Sequence, residues 1–324
     1  MSGVRRSQPH TREARAAMKA VFFRQHGDPD ELQYGEMPDP VPGPGEVLVD
    51  VHAASVNGAD WRVVAGGYGP VKFFPYIPGR DFSGVVRALG PGVTDFKVGD
   101  AVFGVCDVGI EAAYAEQVVI KASILAHRPA GLTHVEAAAV ALIGLTALCA
   151  VEDTLQVRAG ETVLVQGGAG GVASFAIQAA RHAGCRVAST TSTANVDYVK
   201  SLGTDQVIDY TREDFTQVLS GIDAVFDTVG GEVASRAYAV LKPGGRAAFI
   251  ASGPKAPPTE RTDVTGLRPA VGRDRAHLDR IAMLVSSGAV RVPEITPFPL
   301  ADAARANAVS RGRHFRGKLV LVVR

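Results

Sequence analysis

The chain has 324 residues, enough for two domains with separate hydrophobic cores, and its formal net charge is only +1. No apolar run approaches the roughly 20 residues needed to cross a bilayer, and no charge imbalance favours a nucleic acid or a membrane surface as a partner. The cysteines Cys106, Cys149 and Cys185 are widely separated, which excludes a disulfide framework and a cysteine zinc lobe. We therefore expect a cytoplasmic protein that binds neither nucleic acid nor membrane.

Residues 1–17 differ in composition from the rest of the chain. They contain several arginines and a single acid, Glu13, but lack the apolar core of a secretory signal. An arginine-rich, acid-poor start is compatible with a mitochondrial presequence. We favour the other interpretation, a disordered tail, and predict that the fold begins at Met18.

The pattern of short strands and helices changes along the chain. From Lys19 to Lys121, short strand-like runs alternate with glycine and proline turns, which predicts a barrel-like β domain. After an apolar helical stretch at 133–151, strands and helices alternate over 162–251, which predicts a parallel, doubly wound α/β sheet. The last strand, 318–323, has no core of its own and is expected to pack back on the first domain.

A glycine cluster follows the first strand of the α/β region. Gly168, Gly170 and Ala173 match the G-x-G-x-x-G/A pattern of a strand–turn–helix that binds dinucleotides. Backbone N–H groups and the positive end of the helix dipole would hold the pyrophosphate here. The predicted phosphate loop consists of Gly168, Ala169, Gly170, Gly171 and Val172.

The second strand of the α/β region indicates which dinucleotide binds. An NAD site usually carries an acid about 20 residues after the first glycine, to hold the ribose 2′-hydroxyl. Here residues 188–194 are small or hydroxylated, and the first acid is Asp197, inside the next helix. This favours NADPH as the cofactor, although a missing acid is only negative evidence against NAD.

An ordered set of further motifs surrounds the glycine loop. These are Val56–Asp60, Pro78–Gly84, Gly90–Val93, Phe96–Asp100, Gly144–Ala147, Leu241–Gly245 and Gly317–Leu321. With them the chain resembles the zinc-free quinone oxidoreductase branch of the medium-chain dehydrogenase/reductase superfamily, from Met18 to Val323. The resemblance implies an α/β protein with a GroES-like β-barrel domain split in sequence (18–142 and 286–324) and a Rossmann NADP-binding domain (143–285). It also implies an active site in the cleft between the domains, and a homodimer.

The resemblance also identifies catalytic positions. The zinc ligands of related alcohol dehydrogenases correspond to Asn57, Arg80 and Ala139, and their proton-relay hydroxyl corresponds to Ala59, so no metal is expected. Asn57 would lie beside the nicotinamide and donate to a substrate oxygen; the alternative is that it only holds a turn. Tyr68 matches a pocket tyrosine that orients the substrate or donates a proton; the alternative is simple packing.

Further cofactor contacts follow from the same resemblance. Two residues would approach the nicotinamide and three would bind the 2′-phosphate, although Ala194 stands where relatives often carry a basic residue. The cofactor-binding residues outside the phosphate loop are Thr146 and Ser252 at the nicotinamide, Ser192, Tyr210 and Arg313 at the 2′-phosphate, and Thr191 and Val229, which are not assigned to one part of the cofactor.

The sequence leaves three functional hypotheses open. The first is an NADPH-dependent, metal-free reductase that transfers hydride to a quinone or an α,β-unsaturated carbonyl. The second is an enoyl-thioester reductase, with Arg268, Arg273 and Arg275 forming a basic pocket mouth rather than a solvated loop and helix start. The third is a non-catalytic NADPH-binding sensor or interaction protein.

Overall fold

The computed structural model describes residues 17–313 and 315–324. The predicted disordered tail lies outside the described residues, except for Ala17, which already belongs to the first strand.

The strands lie on both sides of a central α/β region. They are β1 (Ala17–Phe22), β2 (Gln33–Pro38), β3 (Glu46–Val56), β4 (Asp81–Leu89), β5 (Ala101–Val105), β6 (Gln117–Lys121), β7 (Leu125–His127), β8 (Thr162–Gln166), β9 (Arg186–Thr191), β10 (Gln206–Asp209), β11 (Ile222–Asp227), β12 (Leu241–Phe249), β13 (Thr265–Leu267), β14 (Ile295–Pro299) and β15 (Lys318–Val322). The α-helices are α1 (Asp60–Val64), α2 (His134–Leu148), α3 (Gly171–His182), α4 (Val196–Ser201), α5 (Phe215–Val218), α6 (Gly231–Arg236), α7 (Arg275–Ser286) and α8 (Ala303–Gly312).

The α/β region forms a parallel sheet in the order β10-β9-β8-β11-β12-β13. Counted from β8, this is the strand order of the Rossmann fold, in which the direction of winding reverses between the first and fourth strands. The crevice at this switch point lies between the ends of β8 and β11, and dinucleotides bind at such positions. The predicted Rossmann sheet is confirmed, and its reversal point coincides with the glycine cluster after β8.

Seven of the remaining strands form a mainly antiparallel sheet, β14-β15-β3-β4-β5-β7, with β6 paired to β3, while β1 and β2 pair as a separate antiparallel sheet. β14 and β15 come from the C-terminal end of the chain, and β15 pairs directly with β3. The expectation of a GroES-like domain split in sequence is thus confirmed, and the final strand completes the first sheet.

Helix α2 connects the two sheets. Thr133 and Glu136 close a capping box at its N-terminus, and the helix is buried almost all round because it packs on both α3 and β4. It continues into a π-helical stretch, Cys149–Thr154, giving 21 helical residues that are long and apolar enough to cross a membrane, contrary to the expectation from the sequence. In the structure, 78% of the most apolar 18-residue stretch of this helix is buried, as in the core helix of a globular fold. The predicted boundary between residues 142 and 143 lies inside α2, and the division into domains stays a prediction.

Gly317 ties the C-terminal strand to the glycine loop. Its backbone N–H donates to the Ala169 carbonyl at 3.0 Å, and Gly317 forms an isolated β-bridge with Gly170. A Cβ atom on Gly317 would lie 2.0 Å from the Glu294 carbonyl oxygen, and its φ of +74° favours glycine. This contact brings the start of β15 next to the N-terminus of α3.

Candidate active site

The glycine loop has the geometry of a phosphate site, with its glycines in different roles from those the pattern assigns. In the G-x-G-x-x-G/A pattern the first glycine, here Gly168, makes the tight turn. In the structure the preceding Gly167, with φ +80°, makes that turn. A Cβ atom on Gly168 would lie 2.3 Å from Ser189 Oγ, so Gly168 is needed for close packing on β9. Helix α3 begins after Gly170 with no side-chain cap and no acid in its first turn. The first-turn N–H groups of Gly171 and Val172 are therefore oriented to receive an anion.

Buried polar atoms without partners lie at the carboxyl ends of β8 and β12, on the same edge of the sheet as this crevice. Both side-chain polar atoms of Gln166, at the end of β8, and the hydroxyl of Ser252, shortly after β12, are enclosed and form no hydrogen bond with the described residues. Buried polar groups usually find partners. The residues present therefore fit a dinucleotide whose polar groups would pair with them.

The predicted 2′-phosphate residues on the second and third strands lie together. Thr191 ends β9, and its carbonyl accepts from the Tyr210 N–H at 3.0 Å. Ser192 Oγ accepts a hydrogen bond from Asn195 Nδ2 at 3.1 Å. The Tyr210 side chain is exposed beside them. This arrangement leaves an open, hydroxyl-rich surface at the end of β9.

Asp209 adds an acid that the sequence analysis missed. It ends β10 rather than β9, and its Oδ2 accepts from Thr193 Oγ1 at 2.6 Å, within the loop that follows Ser192. The hydrogen bond from Thr193 is the main cause that lowers the pKa of Asp209, so the carboxylate is ionised at neutral pH. A negative charge thus stands near the expected phosphate position, partly balanced by Arg212 Nε at 3.6 Å. The position of Asp209 beside this loop follows from the parallel pairing of β9 with β10, which the sequence alone does not show.

Arg313 contacts a different part of the crevice. It ends α8 in a left-handed conformation (φ +57°), and its Nη1 donates to the Val229 carbonyl, just after β11, at 3.4 Å. Within the described residues it makes no hydrogen bond to Ser192 or Tyr210. Its role at the 2′-phosphate stays a prediction. Arg316, which the sequence analysis missed, lies with its guanidinium carbon 5.1 Å above the Tyr198 ring on α4, the helix that follows the Ser192 loop.

Asn57 forms the centre of a buried hydrogen-bond network. Its Nδ2 donates to Asp81 Oδ1 at 2.7 Å, and its Oδ1 accepts from Lys318 Nζ at 2.6 Å. The second N–H of the amide makes only long contacts with Ser55, at 3.3 and 3.4 Å. The amide orientation is therefore fixed, and this second N–H is the donor least occupied by contacts within the protein.

Lys318 and Asp81, which hold the Asn57 amide, are themselves fixed by further hydrogen bonds. Lys318 Nζ also donates to the Val56 carbonyl at 2.6 Å, while Asp81 Oδ2 accepts from the Leu142 N–H at 3.1 Å. Burial lowers the pKa of Lys318 and raises that of Asp81, and the charge of each partner opposes the shift of the other. A Cβ atom on Gly171 would lie 3.4 Å from Lys318 Cδ. The network therefore lies directly beside the phosphate loop.

A second polar cluster surrounds Arg80 next to this network. The Arg80 Nε lies 3.4 Å from Glu111 Oε1 and 4.0 Å from Asp60 Oδ1. Asp60 Oδ2 accepts from the Asn57 backbone N–H at 2.8 Å, which links the two clusters. Burial raises the pKa of Asp60 to about 6, although the Arg80 charge acts in the opposite direction. Tyr68 covers the cluster, with its ring centroid 5.1 Å from the Arg80 guanidinium carbon.

The other predicted residues have distinct positions. Thr146 is half-buried on α2, and its hydroxyl donates to the Leu142 carbonyl of its own helix at 2.8 Å. Arg275 does not join a basic pocket mouth, because it donates to the carbonyls of Leu125 and Ala122 and pairs with Asp95.

Arg268 and Arg273 are the remaining members of the predicted mouth. They donate to the backbone carbonyls of Phe249 and Cys106, at 2.6 and 3.2 Å. Burial is the main cause that lowers the pKa of Arg273, and the nearby Arg80 charge adds to it. Arg80 and Arg273 therefore lie within electrostatic range of each other.

One group of potential metal ligands occurs in the part of the chain that the structure describes. It consists of Cys149, Asp153 and His277, whose Nε2 lies 3.9 Å from the cysteine Sγ and 2.8 Å from the aspartate. It does not include Asn57 or Arg80. The expectation that the protein uses no metal stays a prediction.

Comparisons with known proteins agree with this architecture. Residues 43–130 match the alcohol dehydrogenase GroES-like domain family and residues 202–321 match the zinc-binding dehydrogenase family. The chain is 32% identical to the chloroplastic NADPH-dependent alkenal/one oxidoreductase of Arabidopsis thaliana, over 94% of this chain and 79% of that protein. It is also 32% identical to the mycocerosic acid synthase-like polyketide synthase of Mycobacterium tuberculosis, over 96% of this chain but only 16% of that longer protein.

Solved structures give the same picture. The quinone oxidoreductase of Coxiella burnetii has 33% sequence identity and a TM-score of 0.85, covering 95% of this chain and 100% of that one. The Escherichia coli quinone oxidoreductase complexed with NADPH has 27% identity and a TM-score of 0.85, covering 94% and 100%. The fold and the glycine-loop crevice define a nicotinamide-dinucleotide-binding protein. The chain belongs to the medium-chain dehydrogenase/reductase superfamily, in its quinone oxidoreductase branch.

Proposed function

We propose that this protein is an NADPH-dependent, metal-free reductase of quinones or α,β-unsaturated carbonyls. The observation that carries the proposal is the contact between the phosphate loop and the Asn57 network, made through Gly171 and Lys318. A hydrogen-bond donor held close to the phosphate loop supports a role for Asn57 at the acceptor. The names of relatives that reduce quinones and alkenals support the same chemistry.

The residues of the cleft supply binding and electrostatics. When bound, NADPH supplies the hydride for such a reduction. Negative charge then develops on the acceptor oxygen, and the weakly held N–H of Asn57 is placed to donate to it. Loss of one such donor typically costs on the order of 3 kcal/mol of transition-state stabilisation. Because Lys318 and Asp81 hold the amide, little reorganisation is needed during the reaction.

NADPH is proposed over NADH because β9 ends in Thr191 and Ser192 rather than in an acid. Asp209 weakens this argument, since its carboxylate lies near the same loop. We assign the compensating positive charge to Arg313, with Arg316 as the alternative, because both lie at the rim of the crevice.

The test is the oxidation of NADPH in the presence of 1,4-naphthoquinone or but-3-en-2-one, and of ethanol with NADP⁺ as the contrasting reaction. We expect turnover with at least one of the first two acceptors and almost none with ethanol. Asn57→Ala should lower turnover strongly while NADPH binding, measured by fluorescence titration, is retained. Full turnover of Asn57→Ala would remove Asn57 from the catalytic site.

Enoyl-thioester reduction is the second candidate. It is favoured by the exposed Arg268 and the half-buried Arg273 and by the similarity to polyketide synthases. Crotonyl-CoA in the same assay distinguishes the two candidates, because a thioester reductase would reduce it faster than the free enone.

We also propose a cytoplasmic homodimer that acts on small molecules. Within the described residues β13 pairs only with β12 and forms an edge of the Rossmann sheet. An open edge of this kind can pair with the same strand of a second copy. Light scattering that shows a monomer would contradict the dimer.

A further inference from the structure

The guanidinium of Arg80 is buried but incompletely paired. Its side chain is 9% exposed, yet Nε and Nη2 form no hydrogen bond with the described residues. The two acids in reach, Glu111 and Asp60, both approach the Nε edge. The Nη2 edge therefore carries a desolvated donor without an acceptor, which is an unfavourable arrangement unless a ligand completes it.

The Tyr68 ring covers this donor, and its surroundings allow the ring to move away. The Tyr68 side chain is 56% exposed, and its hydroxyl makes no hydrogen bond to the described residues. Glycines flank it on both sides, and Gly69 has a φ of +85° with open space around its Cβ position. The ring contributes a cation–π contact with Arg80, which is worth little more than a weak hydrogen bond. An oxygen atom with negative charge would be a stronger partner for the guanidinium.

The cluster adjoins the Asn57 network. Asp60, which faces Arg80, also accepts from the Asn57 backbone N–H. A second cation, Arg273, lies within electrostatic range of Arg80. A ligand oxygen at Nη2 would therefore meet the edge of the guanidinium that is not the one nearest Glu111 and Asp60, next to the Asn57 network.

We propose that Arg80 is an acceptor-binding residue, which receives a substrate oxygen that carries or develops negative charge once the Tyr68 ring turns aside. The inference rests on the proposed function, because it names the group that holds the acceptor. It assigns Tyr68 the role of a cover that must be displaced. It favours acceptors with a carboxylate or a polarised carbonyl over neutral apolar ones.

The test measures binding without turnover. Isothermal titration calorimetry measures this binding directly and needs no reporter group in the pocket. Benzoate is the anionic probe and benzamide its neutral control, each titrated into protein loaded with NADP⁺. We expect benzoate to bind wild type more tightly than benzamide does. Arg80→Met should weaken benzoate binding by about 10-fold or more, the usual effect of losing a charge-assisted hydrogen bond.

Arg275→Met is the matched control variant. Arg275 likewise lies over an aromatic ring, 5.0 Å from the Phe96 centroid, but outside this pocket. It should leave benzoate binding unchanged. Tyr68→Ala keeps Arg80 in place and should bind benzoate several-fold more tightly, which provides a test even if Arg80→Met does not fold.

The outcomes separate this inference from the proposed function. Absence of benzoate binding to wild type, equal binding by Arg80→Met, or weaker binding by Tyr68→Ala would each overturn the inference. Benzoate binding that depends on Arg80, in a protein that reduces no quinone or enone, would sustain the inference and remove the reductase proposal.

Discussion

Replacing Lys318 by methionine perturbs the buried network most directly. Methionine keeps most of the aliphatic volume, so cavity formation contributes little. The change removes two hydrogen bonds of 2.6 Å, to the Val56 carbonyl and to Asn57 Oδ1. It also leaves the fully buried carboxylate of Asp81 without the charge that faces it.

The expected cost follows from this geometry. Removing one partner of a buried charge pair typically destabilises a protein by about 3–5 kcal/mol, because the other charge is left uncompensated. Burial already raises the pKa of Asp81, and loss of Lys318 would raise it further. At low pH the variant can protonate Asp81 and recover part of the loss. The difference in unfolding free energy between wild type and variant should therefore grow from mildly acid to mildly alkaline pH.

Urea unfolding, followed by far-UV circular dichroism at several pH values, measures this difference. Lys121→Met is the matched control, since Lys121 makes an equally short pair with Asp107, at 2.6 Å, but on the surface. Lys318→Met combined with Asp81→Asn should cost less than the sum of the single changes by more than about 1 kcal/mol. A loss below about 1 kcal/mol for Lys318→Met, or simple additivity, would refute the account of the network.

Three further predictions concern cofactor choice, pH and metal. Arg313→Ala should weaken NADPH binding by about 10-fold or more and leave NADH binding nearly unchanged, as measured by fluorescence titration. Equal weakening of both cofactors would show that Arg313 is not at the 2′-phosphate. A selective loss of NADPH binding in Arg316→Ala would assign the 2′-phosphate contact to Arg316. Burial raises the pKa of Asp60 to about 6 in the folded state, against an ordinary value of 3.8. The unfolding free energy of wild type should therefore fall relative to that of Asp60→Asn by about 3 kcal/mol as the pH rises from 3.8 to about 6. Parallel pH profiles of the two proteins would contradict this. Chelation should leave NADPH oxidation unchanged, whereas one tightly bound zinc per chain by elemental analysis, with activity lost on its removal, would contradict a metal-free reaction.

The sequence predicts those features that depend on local patterns. The alternation of strand-like apolar runs with helical patterns identifies the Rossmann sheet, because each βαβ unit is formed by a short, continuous stretch of the chain. The glycine cluster is recognisable because the tight turn and close packing after β8 require glycine at Gly167 and Gly168.

The features that the sequence does not predict depend on contacts between distant segments. Lys318 reaches Asn57 across 261 positions, and Asp209 reaches the Ser192 loop only because β10 pairs beside β9. A weak signal for Lys318 exists, since a charge at the start of an otherwise apolar strand implies a buried partner. Nothing local to Arg80 indicates that Tyr68 covers its guanidinium.

The steady-state rate of NADPH oxidation with 1,4-naphthoquinone and but-3-en-2-one tests the central claim most directly. Wild type should oxidise NADPH with at least one of these acceptors, faster than NADH at equal concentration, and the rate should fall strongly in Asn57→Ala while cofactor binding is kept. Binding of NADPH without reduction of either acceptor, or of crotonyl-CoA, would contradict the assignment as a reductase and favour a non-catalytic NADPH-binding protein.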